Sequence, residues 1–200
     1  MTPRNWQELL AATRKGDGNW EGAAADALVE QAAEAMRRRF GADRKRVCHA
    51  MRVLRNVEAL LPEALPVGQG WGDATVSARL CAVLHDIGIQ RAERLHGSSA
   101  ARYQELEGPP IAREILTQLS APEWLVERVC HVVGHHHTAS AVDAADFQLL
   151  WEADLLVNLV EDSFSDSPTL RTALRRNLCS PGSAALTLER LGIDLGRADL

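Results

Sequence analysis

Apolar residues recur every three or four positions along most of this chain, and no stretch alternates apolar with polar residues for the length of a strand. The pattern predicts helix after helix, and so an all-α fold. A short amphipathic helix over residues 6–15 breaks at Gly16-Asp17-Gly18. An Ala-rich helix over 23–40 stops at Gly41, a fitting C-cap. Asp43 is placed to N-cap the next helix, which runs to about residue 61 and meets Pro62. Pro66, Gly68, Gly70 and Gly72 make 65–73 a loop. A helix follows over about 74–87, closed by Gly88. Residues 90–110 begin polar and irregular, and Pro109 and Pro110 start a helix over 111–119. Ala121-Pro122-Glu123 opens another helix, running towards His137. A helix over 146–160 comes next. After Pro168 two weaker helices are interrupted at Ser180-Pro181-Gly182.

Two of these helices are apolar on the faces that should be inside and yet carry carboxylates there. Residues 78–88 are apolar almost all round, which marks a buried helix, and they end in adjacent His85 and Asp86. A buried, unpaired carboxylate costs several kcal/mol, so Asp86 is paired, neutralised or bound to a metal. The alternative is an exposed His-Asp pair at a helix end. Asp154 has Leu150, Trp151, Val157 and Asn158 as its helical neighbours, and all but the asparagine are apolar. It too sits where a lone carboxylate is out of place, unless an arginine or a helix N-terminus meets it. His49 lies in line with Val53 and Leu60 at the edge of an apolar stripe. A lone histidine there is more often a satisfied core residue than a ligand. Imidazole and carboxylate are nevertheless the common ligands of divalent transition metals.

Composition narrows the partners. The 200 residues fit one domain or one domain with a helical appendage. A net charge of -5 argues against a broad grip on nucleic acid. A small phosphorylated ligand needs only a local positive cluster and stays open. Cys48, Cys81, Cys130 and Cys179 form no C-x-x-C pair, and the first three sit inside helical patterns as reduced core cysteines. No apolar run has the length of a signal peptide or a membrane span, so a cytoplasmic protein with no membrane partner is expected. Val132 stands where a peptidase motif spanning His131 and His135 would need glutamate.

In combination and order, these elements resemble the HD superfamily of metal-dependent phosphohydrolases over about residues 43–162. The likeness rests on His49 followed by Leu84-His85-Asp86-Ile87-Gly88, Gly108-Pro109-Pro110-Ile111-Ala112-Arg113-Glu114-Ile115-Leu116, Val132-Val133-Gly134-His135-His136 and Glu152-Ala153-Asp154-Leu155-Leu156. It implies an orthogonal bundle of about five core helices, with residues 1–42 and 163–200 as helical extensions. It also implies His49, His85, Asp86 and Asp154 as ligands of one divalent ion. That mixed nitrogen and oxygen set suits manganese, iron, cobalt, nickel or zinc. The implied activity is hydrolysis of a small phosphomonoester or phosphodiester, such as a nucleotide. Asp86, a ligand that also reaches water, would be the base.

Ile89 is a departure. The guanosine-tetraphosphate hydrolases and 5′-deoxynucleotidases of the superfamily carry an acidic residue there. The cyclic-di-GMP phosphodiesterases carry lysine there, together with a Gly-Tyr-Pro element this chain lacks. This puts those substrates in doubt and leaves the general acid unassigned. Arg46, one turn before His49, is the preferred phosphate contact among Arg44, Lys45, Arg52 and Arg55, which otherwise read as a solvated basic face. His96, His135 and His136 are further candidates for substrate contact. His135 and His136 also fit one region that binds a second ion in two-metal members, while the other such histidine aligns nearer Gln104. Adjacent helical residues point about 100° apart, so one of the pair faces the cleft unless the helix ends there. His131 and His137 read as solvent-exposed. Alternative functions are a di-iron oxygenase, which requires the second ion, and a non-enzymatic module that senses a ligand.

Overall fold

In the computed structural model of the protein, which describes residues 4–14, 20 and 22–196, the chain is all-helical. The helices are α1 (Trp6–Ala12), α2 (Ala23–Phe40), α3 (Arg44–Ala64), α4 (Gly72–Leu84), α5 (Ile89–His96), α6 (Ala101–Gln118), α7 (Glu123–Val133), α8 (Ala145–Glu161), α9 (Pro168–Asn177) and α10 (Ser183–Leu191). A short 3-10 turn at Ala139–Ala141 precedes α8. The expected break at Gly16-Asp17-Gly18 lies outside the described residues. Among the described residues, no helix is long and apolar enough to cross a membrane.

Helix α4 is the axis of the bundle. All its residues except Thr75 and Arg79 are buried, as an all-round apolar surface requires, and α2, α3, α7 and α8 pack around it. One hydrophobic cluster runs from Trp6 to Leu195, with Met36, Leu60, Leu84, Phe147 and Leu156 fully buried in it. The C-terminal helices are tied to α8 by Glu152. Its Oε1 accepts from Gln148 Nε2 and from the backbone N–H groups of Cys179 and Ser180, and the Ser180 hydroxyl bonds Oε2. Burial pushes this carboxyl up from its ordinary pKa, and the donors oppose that shift.

Several elements differ from expectation. Pro62 does not stop α3, which continues to Ala64; a proline in a last turn removes one ladder bond. Asp43 caps the same helix, accepting from Arg46 N at 3.3 Å. Residues 89–96 form α5, closed by Gly97 in the left-handed region at φ 64°. Helix α6 starts at Ala101, ten residues before the expected start, and passes through Pro109 and Pro110. The two prolines remove the donors for the carbonyls of Glu105 and Leu106. Leu106 is 60% exposed, so that loss falls at the surface. The apolar period is hidden in the first half of α6, because its inward face carries Gln104, Glu107 and Gly108. Cys81 and Cys130 are buried, but Cys48 is exposed, since α3 turns its neighbour His49 inward instead.

Two glycines set how closely the helices around α4 approach. A Cβ on Gly88 would stand 2.5 Å from Gly108 N and 2.7 Å from Gln104 O. A Cβ on Gly108 would meet Val133 Cγ1 at 2.6 Å. The start of α5 therefore lies backbone to backbone on α6, and α6 lies directly on α7. Backbone atoms cannot move aside as a flexible side chain can. Gly88→Ala is expected to destabilise the protein by about 1–3 kcal/mol, lowering the thermal midpoint, whereas the exposed Leu106→Ala leaves it nearly unchanged. Equal midpoints for the two variants would show that this contact does not matter.

Candidate metal centre

Three helices and one turn bring the site together. His49 projects from the inner face of α3, one turn before the fully buried Val53. His85 ends α4, and Asp86 follows it in the turn before α5. Asp154 comes from the middle of α8. His49 Nε2 lies 3.0 Å from Asp154 Oδ1 and 3.2 Å from His85 Nε2. His85 Nε2 is 3.6 Å from both Asp86 Oδ2 and Asp154 Oδ1, and His49 Nε2 is 3.7 Å from Asp86 Oδ2.

The outer ring nitrogens decide which nitrogen faces inward. His85 Nδ1 is 3.0 Å from the Ala82 carbonyl, which only accepts. The proton therefore sits on Nδ1, and the Nε2 lone pair points at the cluster. His136, in the turn after α7, repeats the arrangement with Nδ1 2.8 Å from Val133 O. Its Nε2 is buried, without a hydrogen-bond partner among the described residues, and lies 3.5 Å from Asp86 Oδ1. His49 has a carboxylate in place of a carbonyl: Nδ1 lies 3.4 Å from Glu161 Oε2. Glu161 is two turns after Asp154 on α8, so the same-face spacing was a usable signal for it.

His49, His85 and Asp86 each offer one donor atom within 4.8 Å of the others, and Asp86, His136 and His137 do the same. Asp86 belongs to both groups. Neutral imidazole nitrogen and carboxylate oxygen suit a divalent transition-metal ion, and the partnerless Nε2 of His136 is an additional inward-facing donor. These residues could hold a metal ion.

The charges are strongly coupled. Burial works against charge on His49, but the hydrogen bond to Asp154 and the carboxylates of Asp154, Asp86 and Glu161 outweigh it and raise its pKa to about 9. Burial alone would push both aspartates up. His85, His136 and His49 reverse this for Asp86, and His49 and His85 reverse it for Asp154, so both stay ionised below the usual carboxylate range. Burial pulls His85 down and keeps it neutral.

The remaining candidates fall in different places. His135 is exposed, with Nδ1 on the His131 carbonyl at 2.7 Å, so of the adjacent pair it is His136 that faces the cluster. This follows from the early end of α7 at Val133. His137 stands at the mouth of the cleft, its N–H donating to Glu105 Oε1 at 3.0 Å. His96 pairs with Glu107 at 2.9 Å and stacks on Tyr103 at 4.3 Å, away from the cluster. Arg46 lines the cleft, but its guanidinium is held by Asp43 at 2.7 Å and Glu93 at 2.6 Å.

His49, Asp86 and Asp154 line a cleft of about 380 Å³ together with Lys45, Gln104 and Glu161, while His85 and His136 are buried outside its lining. Gln104 Nε2 donates to Ser99 O at 2.6 Å, and its Oε1 is buried with no donor among the described residues. Leaving such an acceptor unpaired costs about 1–3 kcal/mol. The sequence marks none of these three as a site residue: Lys45 reads as part of a solvated basic face, Gln104 enters only as the position nearest a second-ion histidine, and Glu161 is signalled only by its spacing from Asp154.

A pH dependence follows for metal-free protein. The folded pKa of His49, about 9, lies above its ordinary value of 6.5. Its contribution to stability is therefore complete below pH 6.5 and is lost as the pH rises towards 9. Metal needs the unprotonated nitrogen, so metal affinity should rise across the same window. Melting curves at stepped pH, with and without chelator, measure both slopes. Against its burial, Asp86 raises the pKa of His136 too, so the metal-free slope should shrink in His49→Gln without vanishing, and an unchanged slope there would assign it to another group.

No family model, curated protein or solved structure matches this chain, so the functional reading rests on the site geometry.

Proposed function

We propose that the protein is a metal-dependent phosphohydrolase of the HD type, acting on a small phosphate ester. One observation carries the reading: His49, the adjacent His85 and Asp86, and Asp154, from three separate parts of the chain, converge on one point, and His49, Asp86 and Asp154 line a cleft there. These four residues would hold the ion. When bound, a divalent metal of the manganese, iron, cobalt, nickel or zinc class polarises a phosphoryl oxygen and acidifies water.

The protein's own groups supply the rest. Asp86 turns Oδ2 to His49 and His85 and Oδ1 to His136. One oxygen can therefore hold the ion while the other takes the proton of the attacking water. His136 Nε2, 3.5 Å beyond, is next in line to receive that proton. Glu161 and the Ala82 carbonyl hold the His49 and His85 rings against rotation. The apolar bundle beneath the cluster excludes bulk water from its floor.

The second group of donors, Asp86, His136 and His137, favours a second reading as a two-iron oxygenase. Elemental analysis of protein purified without chelator separates the two. One tightly bound metal per chain is the expected result. Two equivalents of iron, lost together in His136→Ala, would transfer the assignment to the oxygenase.

Asp154→Asn keeps the side-chain shape but removes the charge that holds a cation, so it should lower metal content well below that of Asp162→Asn, in the turn after α8. Equal metal in the two purified variants would remove Asp154 from the ligand set. A panel of phosphomonoesters and phosphodiesters, run with each candidate metal, is expected to reveal turnover that chelator abolishes. Bound metal with no turnover of any ester would instead mark a ligand-sensing module.

A further inference from the structure

The upper walls of the cleft hold two groups with no part in binding the ion. Lys45 on α3 lines the cleft and is exposed, and among the described residues it has no hydrogen-bond or ion-pair partner. Its neighbour Arg46 is committed to Asp43 and Glu93. Lys45 is therefore the uncommitted side-chain cation among the described residues that line the cleft. Gln104 on α6 is buried, and its bond to the Ser99 carbonyl fixes which end of the amide is which. That leaves Oε1 as an acceptor in need of a donor.

The charge balance limits what can enter. Asp43, Asp86, Asp154 and Glu161 all line this cleft. Asp86 and Asp154 offset the two charges of a divalent ion, which leaves Lys45 as the uncommitted positive charge, among the described residues of the lining, to meet a phosphoryl group. A second phosphoryl group would bring negative charge towards these carboxylates with no free cation to meet it. The volume, about 380 Å³, lies at the small end for ligand sites.

Resting on the phosphoryl reading above, we infer that Lys45 and Gln104 form the recognition subsite of the cleft, which takes a singly phosphorylated compound whose organic part carries a hydroxyl or amine that donates to Gln104 Oε1. Lys45 grips the phosphoryl group and Gln104 reads the organic group. An apolar ester of the same size leaves Oε1 unpaired and binds more weakly.

Calorimetry on the metal-loaded full chain tests this without turnover, using inorganic phosphate, propylphosphonate, 2,3-dihydroxypropylphosphonate and propane-1,3-bisphosphonate. Wild-type protein should bind the dihydroxy compound about tenfold more tightly than propylphosphonate. Gln104→Met should erase that preference and leave phosphate affinity unchanged. Gln104→Asn, which withdraws the amide by one methylene, should erase it too and serves if the first variant does not fold. Lys45→Met, at an exposed position, should weaken phosphate and the phosphonates by about tenfold. The bisphosphonate should bind no more tightly than propylphosphonate. The inference is overturned if Lys45→Met binds phosphate like wild type, if the hydroxyl preference is absent or survives in the Gln104 variant, or if the bisphosphonate binds about tenfold tighter. If metal-loaded wild type binds none of these compounds, the phosphoryl reading falls and takes this inference with it. If wild type binds phosphate and only the variants behave otherwise than stated, this inference alone falls.

Discussion

Two ionised carboxylates, Asp86 and Asp154, sit over the apolar interior of a helical bundle, and the structure around them is organised by the need to compensate that charge. Protonated His49 supplies compensation from α3, and His85 and His136 stand beside the carboxylates from two other points of the chain. The orientation of these rings has a common origin in helix geometry. The last carbonyls of an α-helix have no partner within it. His85 lies three residues beyond Ala82 and His136 three beyond Val133, each at the end of its helix, and each gives its Nδ1 proton to that leftover carbonyl. One hydrogen bond thus caps the helix and turns the other nitrogen towards the carboxylates. His49, in mid-helix, has no such carbonyl, and Glu161 takes its place.

Carrying these histidines on helix ends requires that the ends meet. The turn after α4 must lie on α6, and α6 on α7, at distances no side chain allows. Gly88 and Gly108 make the first contact possible, and Gly108 against Val133 makes the second. Gly134 belongs to the same seam, since a Cβ there would stand 3.1 Å from Pro109 Cγ. Beyond it, Glu105 accepts from His137 N and from the Thr138 hydroxyl, which fixes the chain leaving α7. The direction of His136 depends on this arrangement, because it lies in the turn and not in the helix.

The sequence was most informative where burial and polarity conflict. A carboxylate on an apolar face is an anomaly that can be read without coordinates, and Asp86 and Asp154 were found that way. Helix α2 was equally legible: the Ala-rich pattern, ending at glycine, marks Ala23–Phe40. Legibility failed where the chain's own signal points the other way. In α5 only Ala92 is fully buried, and the apolar spacing of Ile89, Ala92 and Leu95 spans just two turns among charged residues. The first half of α6 turns polar residues inward, and its prolines read as a start when they are an interior. The choice between His135 and His136 needed the end of α7 to within a residue, finer than capping signals define. Cys48 shows the same limit on α3, where a small rotation decides which of two neighbours is buried.

The inward face of α6 connects the failure of the pattern with the chemistry of the cleft. Gln104 and Glu107 lie on it one turn apart, both buried, and their surroundings separate a structural polar group from a receptive one. Glu107 is saturated: Arg91 reaches one carboxylate oxygen at 2.7 Å and His96 the other at 2.9 Å. Its burial is explained within the chain, and it holds α5 to α6. Gln104 has only its donor side satisfied, and it lines the cleft. Among the described residues Asp73 Oδ1, His136 Nε2 and Ser183 Oγ are likewise buried without a partner, but of these residues Gln104 is the one that lines the cleft, as the recognition role proposed for it requires. The same argument separates Arg46 from Lys45. Charge near a site counts towards recognition only when the protein has not already neutralised it, and two carboxylates have neutralised Arg46.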